Sequence, residues 1–384
     1  MTGVPLSLYI HLPWCVKKCP YCDFNSYSRG DSAPKARYMK ALLGDLHRES
    51  TIANGRVIES VFLGGGTPSL FSSTEIQALL DAVRGFFTLA ENAEVTMEAN
   101  PGTVECGAPA GYREAGVNRL SIGAQSFDNE MLSSLGRIHS SADIVRTVED
   151  AKAGGFDNIN IDLMHGLPGQ TVNMALADLS IAINLEPAHI SWYQLTLEPN
   201  TVFYARPPAN LPDDDLAFEI QDRGQTLLVE NGFLQYEVSA YARDGQRCQH
   251  NFNYWSFGDY LAVGAGAHGK LTISTNVHRY QKPANPLQYM VAQESAAGSS
   301  ELTRLSRRDL IFEFMLNALR LNDGFAESTF VERTGLSIED LRHATAAVVQ
   351  KGLIERSAEG FWMPTALGSR FLNDLQSEFI VEHA

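Results

Sequence analysis

Cys15, Cys19 and Cys22 stand in the run Cys-Val-Lys-Lys-Cys-Pro-Tyr-Cys. This C-x3-C-x2-C spacing follows the apolar run Leu6–Leu12 directly. Three thiolates on one short loop can hold three irons of a [4Fe-4S] cluster, a cluster type ordinarily held by four cysteines. The fourth iron then has no obvious protein ligand and is open to a small molecule. The amine and carboxylate at the methionine end of S-adenosylmethionine (SAM) suit that position, and the pair would supply radical chemistry. A structural zinc site takes four ligands, commonly in two pairs, and no second pair is present in the chain. Disulfides fit poorly, because nothing in the sequence reads as secretory.

Further polar residues fall where strands are expected to end. Gly64-Gly-Gly-Thr-Pro-Ser69 follows the second expected strand. It is not a phosphate-binding loop, because no Gly-Lys-Ser/Thr follows; its glycines instead let a ligand approach the backbone closely. Glu98 ends the third strand, Gln125 ends the fourth, and Asp162 lies in the fifth. Any one of them alone would be a satisfied structural polar group. On successive strands they predict a polar binding floor. Arg137, just after the fourth strand, is either a partner for a carboxylate or a solvated surface residue. His250-Asn-Phe-Asn-Tyr-Trp255 is the second unusual cluster. Imidazole is a common haem ligand and aromatic rings pack on porphyrins. No C-x-x-C-H attachment is present, and by itself such a cluster reads as core packing.

The elements that must position these residues are short apolar strands alternating with amphipathic helices. Strands are expected at 6–12, 58–64, 93–99, 117–124, 157–163 and 188–196, with helices such as 73–87 and 140–153 between them. That alternation predicts an α/β fold with a parallel sheet. Six strands fall short of the eight of a TIM barrel, so an incomplete (β/α)6 TIM-type barrel is expected over residues 1–200. The chemistry would then sit at the C-terminal ends of the strands. Residues 198–215 read as a linker and 216–232 as a helix. Residues 233–275 look strand-rich, and within a barrel extension placed at 201–300 lies Gly264-Ala-Gly-Ala-His-Gly269, too weak a pattern for a dinucleotide site. Residues 301–384 read as a separate α+β unit, helices followed by a hairpin, resembling a winged helix. Its 9 basic and 13 acidic residues argue against nucleic acid as its partner.

The 384 residues carry 30 basic and 45 acidic side chains, a formal charge of −15. An acidic surface repels phosphate backbones. No stretch approaches the ~18 apolar residues of a membrane span, which leaves peripheral contact as the available membrane association. Five cysteines without secretory features fit a reduced, cytoplasmic protein. Cys106 and Cys248 read as structural or surface thiols.

The combination of Tyr-Ile-His-Leu-Pro, C-x3-C-x2-C and Gly-Gly-Gly-Thr-Pro resembles the radical SAM superfamily. In detail it is similar to the branch that holds oxygen-independent coproporphyrinogen III dehydrogenase (oxidase) and the HemW-type haem chaperones, and the similarity covers nearly the whole chain. The resemblance implies that Cys15, Cys19 and Cys22 ligate the cluster and that Tyr9, Gly65 and Glu98 contact cluster-bound SAM. It implies that Gly66, Thr67, Gln125, Arg137 and Asp162 line a second SAM site, as in the dehydrogenase. Two features separate the branches. The dehydrogenases carry a further cysteine two residues beyond the third, where this chain has Phe24. The chaperones carry H-N-x-x-Y-W, here His250, Asn251, Tyr254 and Trp255, which the resemblance assigns to haem. Both features point to the chaperones. Implied partners are haem, haem-accepting proteins such as respiratory haem enzymes or bacterioferritin, and a second copy of the chain in a homodimer. Decarboxylation of coproporphyrinogen III is the alternative function.

Overall fold

A computed structural model describes residues 3–28, 33–102, 109–295 and 300–380. Cys106 lies outside the described residues. The expected strands form as β1 Leu6–Leu12, β2 Ile58–Gly65, β3 Leu89–Ala99, β4 Arg119–Gln125, β5 Asn158–His165 and β6 His189–Gln194. Each pairs in parallel with the next. Helices α1 Lys35–Ala53, α2 Ser73–Phe86, α3 Ser141–Ala153, α4 Val172–Asn184 and α5 Asp214–Glu230 follow successive strands, although not every strand has one of this length. Leu8, Ile10, Ile161 and Ile190 of the strands share one core with Leu42, Leu79, Val148 and Leu179 of the helices. Capping boxes at Ser72/Glu75 and Ser140/Asp143 set the starts of α2 and α3 by satisfying otherwise orphaned backbone N–H groups. The expected linker, 198–215, holds a single helical turn, Val202–Ala205, and gives way to α5 at Asp214.

The parallel sheet has one strand more than expected. Strands β7 Leu234–Glu237 and β8 Ala240–Ala242 pair antiparallel at the β6 edge. At the other edge β9 Asp259–Val263 pairs in parallel with β1, followed by antiparallel β10 His268–Ile273, β11 Asn276–Gln281 and β12 Thr303–Arg304. All five residues of β9 are buried, as suits a parallel strand covered on both faces. It escapes a count of β-α alternation because it comes after the antiparallel β7–β8 pair. The twelve strands run β12-β11-β10-β9-β1-β2-β3-β4-β5-β6-β8-β7 and do not close on themselves, so the expected incomplete barrel is what forms. Between β8 and β9 lies a helix not expected from the sequence, α6 Gln249–Trp255.

The C-terminal unit holds α7 Arg307–Ala318, α8 Glu327–Thr334 and α9 Ile338–Gln350. β13 Phe325–Ala326, between α7 and α8, joins β14 Ile354–Arg356 and β15 Phe361–Pro364, which follow α9, in a small sheet. Helices and hairpin appear as expected. Its core of Leu310, Phe314, Phe330, Leu341 and Trp362 also includes Phe257 and Val277 from the barrel extension. Among the described residues no helix is long and apolar enough to cross a membrane.

Candidate functional site at the mouth of the barrel

The cysteine loop leaves β1 at its C-terminal end and folds over a cavity of about 430 Å³. Cys15, Cys19 and Cys22 all line that cavity. The loop is held by its own backbone: Tyr27 N–H donates to Pro13 O at 2.8 Å and Cys22 N–H to Cys19 O at 3.2 Å. Asn25 anchors it to the glycine turn, its Nδ2 donating to Ala265 O at 3.0 Å and Ala284 O at 2.9 Å. Gly266 has φ +75°, and a Cβ there would overlap Asn25. The Gly264–Gly266 turn is thus a shelf for the cysteine loop. Burial pushes the Cys15 and Cys22 thiols up, so their thiolates call for a positive partner. Among the described residues no three His, Cys, Asp or Glu side chains converge as around a single ion. A cluster, however, spreads its thiolates over different irons, and three part-buried thiols around one cavity fit that need.

The glycine run presses the end of β2 against this loop. Gly66 N–H donates to Leu12 O and Thr67 N–H to Trp14 O, both at 2.8 Å. A Cβ on Gly66 would lie 2.6 Å from Trp14 O. Gly65 has φ +115°, and its N–H donates to Glu98 Oε2 at 3.0 Å. Burial raises the Glu98 carboxyl to about 7, against the pull of that N–H, with Asp162 raising it further. A carboxyl poised there can ionise on meeting a ligand's ammonium group.

Gln125, Arg137 and Asp162 line the same cavity, as do Gly65, Gly66 and Thr67. Gln125 sits at φ +73°, where the register between β4 and β5 shifts. Its Oε1 accepts from the Tyr193 hydroxyl at 2.7 Å. Arg137 is not a solvated surface residue. Its Nη2 donates to Asn100 Oδ1 and Gly123 O at 2.7 Å, and its Nη1 faces Cys19 Sγ at 3.7 Å. Asp162 accepts from Ser121 Oγ at 2.9 Å and Asn160 Nδ2 at 2.8 Å, while burial raises its carboxyl. Tyr9 does not line the cavity; its ring stacks on Phe62, and its hydroxyl lies 3.0 Å from His11 Nδ1.

Sequence reasoning passed over Asn100, Arg119, Ser121, Asn160, Ser191 and Tyr193, all of which line the cavity. A signal was present in β4, where Arg119, Ser121 and Gly123 alternate with Leu120, Ile122 and Ala124. Asn160 and Asp162 do the same in β5. Period-two alternation puts such residues on one face, and here that face is the barrel interior. Asn100 and Tyr193 gave no comparable signal.

The H-N-x-x-Y-W run is α6, and it plugs the opposite end of the barrel. Its contacts fall early in the strands: Asn253 Nδ2 donates to Ser7 Oγ at 2.8 Å, and His250 Nδ1 lies 3.3 Å from Ser60 Oγ. Glu94 Oε1 accepts from the Gln249 and His250 N–H groups at 3.0 and 3.4 Å, placing a carboxylate at the helix N-terminus. Cys248 is buried there, as a structural thiol should be. His250 is buried against Phe62 and Tyr9, and burial lowers its imidazole to about 3, with Arg119 adding to the effect. The four motif side chains do not share one pocket. Asn251 lines the cavity. Tyr254 packs on Trp255 and Tyr260, and Trp255 lies under the Arg320 guanidinium.

Residues 9–180 match the radical SAM superfamily and residues 305–370 the HemN C-terminal domain. The chain is 46% identical to the heme chaperone HemW of Escherichia coli K12 over 379 residues, 98% of this chain and 99% of that one. It is 46% identical to the heme chaperone HemW of Haemophilus influenzae over 383 residues, 98% of each. The chain belongs to the HemW family. Its fold also matches coproporphyrinogen III oxidase (HemN) from Escherichia coli with a TM-score of 0.81 at 24% identity, covering 99% of this chain and 91% of that one. As a HemW-family member of the radical SAM superfamily it is expected to use a [4Fe-4S] cluster and SAM. The observed donor set fits both: three thiols at the mouth, a glycine-lined cradle beside them, and a protonatable carboxyl at its edge.

Proposed function

We propose that the chain binds haem and passes it to haem-dependent proteins, on a scaffold that carries a [4Fe-4S] cluster and SAM. The observation that carries this reading is the full-length similarity to proteins named heme chaperones. The geometry adds Phe24. It lines the cavity mouth and is 57% exposed, so a phenyl ring stands beside the triplet at the position where the dehydrogenase pattern has a thiol.

Cys15, Cys19 and Cys22 would hold the cluster, and Gly65, Gly66, Thr67, Glu98, Gln125, Arg137 and Asp162 would hold SAM. When bound, that pair supplies radical chemistry. The protein's own part is positional. Gly65 N–H and Glu98 offer a donor and an acceptor side by side, and Arg137 fixes the loop end at Asn100 and Gly123 while facing Cys19. Tyr9 acts from one layer below, through His11. For haem, His250, Asn251, Tyr254 and Trp255 remain the proposed residues. Burial holds the His250 imidazole neutral, the form that binds iron. Its Nδ1 faces Ser60 Oγ at 3.3 Å, an arrangement that leaves Nε2 as the nitrogen for a metal.

The test is haem titration of wild type and His250→Ala, with and without cluster and SAM, followed by transfer to an apo-haemoprotein. We expect stoichiometric binding, transfer that depends on cluster or SAM, and altered haem bands in the variant. Identical bands would remove His250 from the role. Protoporphyrinogen formed over many turnovers from coproporphyrinogen III, in anaerobic reductant and SAM, would overturn the chaperone reading in favour of the enzymatic alternative.

A further inference from the structure

Arg119 opens β4 and is 2% exposed. A buried guanidinium is normally satisfied by several acceptors. Arg56 has them, binding Asp259 Oδ2 and Val4 O at 2.8 and 2.7 Å; Arg137 also leaves its Nε unpaired, but its Nη2 is held by Asn100 Oδ1 and Gly123 O. The Arg119 Nε has no partner either. Among the described residues its nearest counter-charge is Glu94, Oε2 standing 3.9 Å from that nitrogen, beyond hydrogen-bond distance. Glu94 Oε1 is engaged elsewhere, with the N-terminus of α6 and the Thr96 hydroxyl. What remains of the Arg119 surface lines the same cavity as the three cysteines. Asn160 and Asp162 from β5 and Asn251 from α6 line that cavity too, and Asp162 acts on Arg119 as a second, weaker counter-charge.

A buried guanidinium whose Nε no carboxylate reaches at hydrogen-bond distance is costly to fold around. It becomes useful where a ligand brings the missing acceptor, and the guanidinium fork matches a carboxylate in two-point geometry. We infer that Arg119 forms, with Asn251, a subsite at the floor of the cavity for the carboxylate of a bound ligand. The subsite rests on the cavity's being a ligand site and not on haem transfer. Two ligands of the proposed function carry such a group: the amino-acid end of SAM and the propionates of a tetrapyrrole. The subsite also ties α6 to the mouth, because Asn251 is the motif residue that reaches the cavity.

The experiment compares wild type, Arg119→Gln and Arg119→Lys, each loaded with its cluster under anaerobic conditions and checked for folding by circular dichroism. Four probes are titrated: haem, haem dimethyl ester, SAM and decarboxylated SAM. We expect Arg119→Gln to weaken one carboxylate-bearing probe by about tenfold or more, with Arg119→Lys intermediate. The matching probe without carboxylates should bind variant and wild type alike. Loss confined to haem assigns the subsite to a propionate, and loss confined to SAM assigns it to the amino acid. Unchanged affinity for both would overturn the inference and leave Arg119 as a counter-charge for Glu94. If the Gln variant does not fold, the Lys variant and the wild-type probe pairs decide, because equal affinities within both pairs sink the subsite by themselves. Failure of wild type to bind haem at all would instead count against the chaperone reading.

Discussion

Glu98 shows how far a single site residue could be inferred from its type and position. Its place at the end of a strand made it a candidate, but its state depends on burial and on the facing Gly65 N–H, which only the assembled barrel supplies. Its carboxyl titrates near 7 in the fold, against an ordinary value of 4.5. Below pH 4.5 it is protonated whether the chain is folded or not, and it adds no penalty. Between 4.5 and 7 the unfolded chain ionises it first, so stability falls. Above 7 the penalty is constant, on the order of 3 kcal/mol. Glu98→Gln should therefore raise the urea midpoint at pH 8 and leave it unchanged at pH 4, while weakening SAM. That the three cysteines gather on one short loop was legible from spacing, and all three line one cavity. Cys19→Ala should lose most bound iron and sulfide in anaerobic reconstitution, and full iron content would contradict the cluster assignment. For Arg119 the alternation in β4 signals the inward face, but an arginine at the start of a strand gives no sign of whether its acceptors exist.

At the scale of elements, the sequence pattern recovered six strands to within a few residues, because runs such as Leu6–Leu12 are buried on both faces. It missed β9 as a member of the parallel sheet, since neither its position after β8 nor its length announces a partner as distant as β1. It also missed α6, whose aromatic composition favours strand over helix. That helix forms around tertiary contacts: Glu94 at its N-terminus, Ser60 at His250, and Ser7 at Asn253. Truncating a buried, hydrogen-bonded side chain there has a definite effect. His250→Ala should cost about 2–4 kcal/mol of unfolding free energy, read as a lower urea midpoint. Packing of α5 on β6 is as sensitive. A Cβ on Gly224 would overlap the Trp192 indole, so Gly224→Ala should lower the midpoint by a comparable amount through overpacking. An unchanged midpoint would mean that the helix can slide away from the sheet.

Over the whole molecule, the C-terminal unit was expected to be separate, and its helices and hairpin do form a core of their own. Phe257 and Val277 nevertheless belong to that core. Leu305 N–H bonds Val277 O at 2.9 Å, and Arg320 pairs with Glu237 in β7. Shared packing predicts joint unfolding. Calorimetry should give one main transition for the full chain, and two well-separated peaks would show that the interface adds little. Sequence could not reveal this, because apolar residues such as Phe257 do not say which of two cores they will join.

One cavity holds both the three thiols at its mouth and Arg119 and Asn251 at its floor. Ligands that share a cavity of about 430 Å³ touch common walls, and any coupling between them is reciprocal. Whatever factor the cluster and SAM apply to the affinity for a ligand at the floor, that ligand must apply in return to them. Cargo loading would then be reported at the metal centre, and an oxidised or lost cluster would be registered as a change in grip on the cargo.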